Sequence, residues 1–339
     1  MGKSSLLEAL LLYARKASPM LIWELLGIHD ESRYSSSNRY VSIEDMLTAL
    51  KYLFYGRTDV KTQIDPIQIG PLGFPDNTLS IAVSWYTTQL NDEGKPKTRP
   101  LQPEEYDTAE NLMPRFMIQM GKQPRVYYSL NFDAFTPARL FRSELKETNC
   151  LFIMANGLQR KQLSELWDSI TLTGLEKEIL DSLRIIAPGI EGISFVEEHI
   201  PIPSRERERI PIAKLEGIDE PISLRSLGDG MQRMLGIALA LANAKDGILL
   251  IDEIENGVHY SALEELWELI FRLASRLNVQ VFATTHSWDC IENFQRLAQE
   301  DEEEDGWLVR LAVKNDEVVA TLFDERKLGI ATREQIEVR

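Results

Sequence analysis

The chain has 339 residues, 44% of them apolar and 27% charged, and carries a formal net charge of −16. That apolar share supplies a sizeable core and excludes global disorder, and the length fits one large α/β unit with an inserted lobe. No run of about 18 apolar residues argues for a membrane span, and the excess of acids disfavours broad non-specific DNA binding by the monomer, leaving a protein partner as the easier expectation and DNA open only through a local basic groove.

From the first residue, Met1-Gly2-Lys3-Ser4-Ser5 followed by LLEALLLYA is the second half of a phosphate-binding loop, GxxxxGK[ST]. In that pattern a lysine reaches phosphate oxygens, a hydroxyl ligates Mg²⁺, and the amides opening the helix face the anion. Leu6, Leu7, Leu10 and Leu11 form the apolar stripe of this helix. MGKSSL also fits the loose N-myristoylation pattern at Gly2, but the half-loop explains the lysine and the helix as well. The strand and the first half of the loop that belong before Gly2 do not precede it here. Met1 is therefore expected to be an internal methionine of a longer protein, with roughly 30–40 residues ahead of it. A naturally shortened chain is the alternative.

Residues 18–65 read as two or three helices around a Ser-rich loop, with SIEDMLTALKYLFYG stopped at Gly56. From Ile67 to Phe132 the pattern changes to strands (IQIG, LSIAVSWY, RFMIQMG, RVYYSLNF), an antiparallel lobe interrupted by a polar excursion whose lysines are matched by acids. NCLFIMAN is a short buried strand. Two helices follow, 162–170 and one opened by a capping box at Thr173-Gly174-Leu175-Glu176. Segments 192–200 and 210–217 form a hairpin whose tip, PIPSRERER, reads as an exposed turn.

The stretch from Ser226 to Ser287 carries the chemistry. A Gly-rich turn, SLGDG, opens a helix, and GILLIDE brings four apolar residues to Asp252-Glu253 at a strand's carboxyl end, where open α/β sheets bind ligands. An Asp there can serve Mg²⁺ and the next Glu can activate water. After the core stripe Leu263, Leu266, Trp267, Ile270 and Leu273, a second strand ends in Thr284-Thr285-His286-Ser287. The acids of 299–306 read as a solvated loop, and a hairpin turning at Asn315-Asp316 precedes a terminal helix over 331–338. Cys150 and Cys290 stand alone, without CxxC, which fits a reduced, cytoplasmic protein, and the four histidines lack zinc spacing.

SLGDGMQR, ILLIDEIENGVH and FATTHS resemble the signature, Walker B and switch-histidine motifs of ABC-type ATPases. More narrowly they resemble the soluble branch shared by SMC-like repair ATPases and the overcoming-lysogenization-defect (OLD) family, the "AAA family ATPase" type. The resemblance covers residues 223–339 and the first helix, and the middle of the chain loosely. It implies the α/β fold of a P-loop NTPase, an ABC-type head with a mixed central sheet, an antiparallel β lobe and a helical insertion, its first strands and half of the P-loop missing. Its parts would be 1–17, 18–135, 136–222 and 223–339.

The resemblance also implies ATP and Mg²⁺ as ligands. Gly2, Lys3, Ser4 and Ser5 would bind phosphate, Ser4 and Asp252 the Mg²⁺, Glu253 would activate water and His286 would contact the γ-phosphate. Ser226, Gly228 and Gly230 of one subunit would close over nucleotide held by another, so a homodimer is implied, with Glu255, Asn256, Gly257 and His259 reading across it. SLGDG departs from the usual LSGGQ form, so which of the two glycine amides, Gly228 or Gly230, would meet phosphate stays open. A glutamine that senses Mg²⁺ is either Gln119 or Gln159, and Arg233 reads as structural. No Toprim-like cluster of acids follows His286, so a nuclease would be a separate effector gated in DNA repair or phage defence. The competing reading is a non-hydrolysing scaffold with a degenerate P-loop.

Overall fold

The computed structural model describes residues 2–28, 43–57, 65–90, 95–106, 108, 112–129, 145–197, 208–300, 306–315, 317–334 and 336–338. The chain divides into two compact units, one of residues 8–148 and one joining residues 1–7 to 149–339. Helix α1 (Lys3–Ala14) runs from the second into the first.

Within residues 8–148, α2 (Pro19–Ile28) and α3 (Ile43–Leu50) precede strands β1 (Ile67–Ile69), β2 (Leu79–Leu90), β3 (Pro96–Pro100), β4 (Met113–Met120) and β5 (Val126–Ser129). The strands make one antiparallel sheet in the order β1-β2-β4-β5, with β3 pairing the far end of β2. This is the lobe its alternating sequence anticipates. Successive strand residues face opposite sides, so Leu79, Ile81 and Trp85 are buried together, and β4 adds Phe116 and Ile118, the latter directly opposite Ile81.

The other unit contains, in chain order, β6 (Cys150–Ile153), α4 (Arg160–Ile170), α5 (Leu175–Leu183), β7 (Ile190–Glu197), β8 (Arg209–Leu215) and β9 (Ile222–Ser223). It continues with α6 (Asp229–Asn243), β10 (Ile248–Ile251), α7 (Leu263–Leu277), β11 (Gln280–Ala283), α8 (Trp288–Glu300), β12 (Leu308–Lys314), β13 (Glu317–Phe323) and α9 (Glu325–Arg333). Strands β11, β10 and β6 form a parallel sheet in that order. A parallel strand covered on both faces must be apolar throughout, and Leu249, Leu250 and Ile251 are fully buried. Helix α6 is buried from Met234 to Ala242, whereas α7 buries only the stripe Leu263, Leu266, Trp267, Leu269, Ile270, Leu273 and Leu277.

Three sequence expectations are displaced. In α1 the buried face is Leu7, Leu11, Leu12 and Ala14, while Leu6 is 45% exposed. The capping box belongs to α4, where Gln159 and Gln162 exchange bonds with each other's backbone; α5 opens on Gly174, and Glu176 accepts from the Leu172 and Gly174 amides. The terminal helix starts at residue 325 rather than 331, because the Asp324 carboxylate caps it by accepting from the Lys327 N–H at 2.8 Å, while Leu328 and Ala331 bury its inner face. The acidic stretch 301–305, the arginine-rich tip 201–207 and Met1 lie outside the described residues. Among the described residues no helix is long and apolar enough to cross a membrane.

Candidate active site

The parallel sheet delivers two acids to one end. Asp252 follows β10 directly and is 9% exposed; its N–H donates to the Ile153 carbonyl of β6 at 2.8 Å, so the sheet register extends one residue beyond the strand. A buried carboxylate must be hydrogen-bonded, and both oxygens of Asp252 are. Oδ1 accepts from the Thr284 hydroxyl at 2.6 Å, and Oδ2 accepts from the Ser4 hydroxyl at 2.9 Å.

Thr284 does a second job. Its Oγ1 accepts from the Glu253 N–H at 2.8 Å, and its carbonyl accepts from the Ile254 N–H at 3.0 Å. Glu253 itself has φ +46°, a left-handed conformation that costs a non-glycine residue on the order of 1 kcal/mol or more. Its carboxylate is held by the Asn256 amide, which donates to Oε2 at 2.5 Å. The bonds to Thr284 and Asn256 thus hold both the backbone and the carboxylate of Glu253 at the carboxyl end of the strand.

From the start of α1, Ser4 reaches Asp252 and Lys3 Nζ donates to the Thr285 carbonyl at 2.6 Å. Gly2 takes φ +90°, and its carbonyl accepts from the Leu6 N–H at 3.0 Å, so the helix opens immediately after it. Gly2, Ser4 and Ser5 are exposed, which leaves the amides at this helix terminus open to an anion. Ser4 Oγ and Asp252 Oδ2 suit a hard cation.

His286 is exposed and its main chain is fastened by Glu255, whose Oε1 accepts from the His286 N–H at 2.7 Å. Glu255 and Asn256, expected to read across a second subunit, each bond a residue of this same site within the chain, Asn256 while remaining exposed. Gly257 and His259 remain exposed, and His259 caps the short turn at Tyr260. Ser226 and Gly228 are exposed at the start of α6, and Gly228, at φ +107°, is its N-cap. An added Cβ on Gly230 would lie 3.4 Å from the Gly257 carbonyl, so the glycine turn abuts the loop after β10 without bonding Ser4 or Asp252. Gln159 is engaged as the cap of α4, and Gln119 lies on β4 in the other unit, bonded to Gln123 and Arg125. Neither is placed with the Asp252 cluster by its bonds. Sequence reasoning missed Thr284 as the link between the two acids, and missed Arg233, which bonds the carbonyls of both Asp252 and Glu253. The signal for Arg233 was a single cation in a mostly apolar α6.

Residues 169–289 match the model of a family described as "AAA domain, putative AbiEii toxin, Type IV TA system". A protein of Helicobacter pylori named "ATP/GTP phosphatase" is 33% identical over 129 residues, 37% of this chain and 32% of that protein. The "Methionine import ATP-binding protein MetN" of Lactobacillus johnsonii is 25% identical over 139 residues, 40% of this chain and 38% of that protein. The chain thus spans well under half the length of these two relatives. Among solved structures, the SMC head domain from Thermotoga maritima superposes at a TM-score of 0.34 with 10% identity, over 73% of each chain. An SMC head bound to the C-winged helix domain of ScpA gives a TM-score of 0.38, 10% identity and coverage of 74% and 76%.

Proposed function

We propose that this chain is the ATPase part of an ABC-like P-loop enzyme that binds ATP with Mg²⁺ and hydrolyses it. The bond from Ser4 to Asp252, between residues 248 positions apart, carries the reading. It joins the half P-loop to the Walker B acid with the hydroxyl–carboxylate pair that a Mg²⁺–phosphate site requires. The AAA-domain match and the Helicobacter relative's name support the same chemistry.

Mg²⁺, held by Ser4 and Asp252, would neutralise charge on the phosphate oxygens. Gly2 through Ser5 bind those oxygens with the amides that open α1, and Lys3 exchanges the Thr285 carbonyl for phosphate. Glu253 accepts the proton of the attacking water, its carboxylate aimed by Asn256. His286, on a loop anchored by Glu255, contacts the γ-phosphate. We further infer a cytoplasmic homodimer in which Ser226, Gly228 and Gly230 act on nucleotide held by the other copy. Such a dimer would gate a separate effector, a nuclease of DNA repair or phage defence, with DNA itself an optional partner.

Glu253→Gln tests the reading. Turnover should fall about 10²–10⁴-fold while ATP still binds, and ATP-bound dimers should accumulate in light scattering. A chain that turns over no ATP, and whose oligomeric state ignores both ATP and this substitution, would instead be a scaffold.

A further inference from the structure

One charged side chain beside this site has no part in the chemistry above. Arg233 stands in the second turn of α6 among Met231, Met234 and Leu235, all buried. Its Nη1 donates to the Met154 carbonyl at 3.2 Å, and its Nη2 donates to the carbonyls of Asp252 at 3.2 Å and Glu253 at 3.3 Å. Its Nε is buried without a hydrogen-bond partner. Burial lowers the affinity of the guanidinium for its proton, and the charges of Asp252, Glu255 and Glu253 oppose that shift. A helix that only needed packing at this position would carry an apolar residue, since even a part-buried cation is unfavourable unless its bonds offset desolvation.

Those bonds have a specific geometry. The peptide between Asp252 and Glu253 presents its carbonyl to Arg233 and its N–H to the Thr284 hydroxyl. The next peptide, between Glu253 and Ile254, presents its carbonyl to Arg233 and its N–H to the Thr284 carbonyl. Both peptide planes flanking the Glu253 Cα are therefore gripped, one edge by Arg233 and the other by Thr284. Two fixed planes determine φ and ψ of the residue between them, which is how Glu253 is kept in its left-handed conformation. The loop after β6 is shaped to the same fork: Gly157 has φ +79°, and an added Cβ would lie 3.0 Å from Nη1.

We propose that Arg233 is the positioning residue for Glu253, a clamp through which the helix that starts at Gly228 sets the backbone of the proposed base. Its planar fork is what the task needs, because Nη2 holds the carbonyls of Asp252 and Glu253 while Nη1 is braced on the Met154 carbonyl of the neighbouring loop, and a lysine, with a single ammonium, has no second nitrogen to brace. The catalytic half of this inference rests on the ATPase reading; the clamp itself does not.

Arg233 also lines a 310 Å³ cavity with Gly157, Gln232, Asn256 and Gly257, which gives a route for chemical rescue. In Arg233→Ala, amide exchange at Glu253 and Ile254 should accelerate about tenfold or more, and millimolar guanidinium chloride, but not sodium chloride, should restore the protection and raise the melting temperature. The same guanidinium should leave the unaltered protein no more stable. Arg233→Lys, which keeps the charge, should show the same accelerated exchange and a kcat lowered about tenfold or more with KM for ATP within about twofold. Exchange at Glu253 and Ile254 unchanged in both variants, or no recovery by guanidinium, overturns the clamp. If exchange and rescue behave as stated while the unaltered protein turns over no ATP, the ATPase reading falls and the clamp stands. If it turns over ATP and Arg233→Lys matches it in kcat, the positioning role falls.

Discussion

At the scale of single residues, Thr284 is the side chain that ties the two acids of the site together. Its hydroxyl donates to Asp252 and accepts from the Glu253 N–H, so it reconciles a buried anion with the backbone of its neighbour. Thr284→Val keeps the shape but leaves a buried donor and a buried acceptor unmatched, and should lower stability by about 1–3 kcal/mol in urea titration; Thr284→Ser should recover most of it. Cys290 makes a second residue-level case. It is fully buried, and burial pushes its thiol up from 9.0 to about 11. A raised folded-state pKa means stability that is whole below pH 9 and is lost as the pH climbs toward 11, an amount of about 3 kcal/mol. Stability measured across that window should fall less in Cys290→Ala than in the unaltered chain, and neither alkylation nor disulfide exchange should reach this thiol in the folded protein. The acids and hydroxyls of this site were legible as residue types at a strand end. The resemblance paired Ser4 with Asp252, but the bonds of Thr284 to both acids were not legible, because they join β10 to β11 across a long stretch of chain.

Elements differ in how openly their sequences declare them. Helix α7 shows its apolar stripe at helical spacing, and β10 shows the unbroken apolar run of a strand covered on both faces. Helix α9 hid its start, since the signal is a single capping aspartate after a strand whose residues 317–322 are all exposed where described. Asp324→Ala should loosen that helix, seen as faster amide exchange over residues 325–328. The passage from α6 into β10 is tighter. An added Cβ at Gly247 would fall 2.2 Å from the Asn149 carbonyl, against backbone that has no room to retreat. Gly247→Ala should therefore destabilise the unit of residues 149–339 by about 1–3 kcal/mol or more in urea titration, with the antiparallel sheet of residues 8–148 unaffected.

For the whole molecule, the proposed ligand gives the broadest test. A nucleotide that binds only the folded site, present at 100 times its Kd, should stabilise it by about 2.7 kcal/mol, read as a rise in melting temperature with Mg²⁺ and ATP. Ser4→Ala should remove the part of that rise that depends on Mg²⁺ and should lower melting without ligand as well, because the Ser4 hydroxyl donates to the buried Asp252 carboxylate. By itself the sequence determined the class of fold, the parallel core with its antiparallel companion sheet, and the residue types gathered at one sheet edge. These are written in local periodicity and in short motifs, each a few residues long and readable without a partner. Only the tertiary structure decided that Glu255 bonds the His286 N–H and Asn256 the Glu253 carboxylate, that Gln159 is used as a helix cap, and that Arg233 and Thr284 grip the backbone of Glu253 from opposite sides. Each of those facts is a hydrogen bond whose partner is fixed by how loops and helices meet in space, and no periodicity along the chain records that meeting.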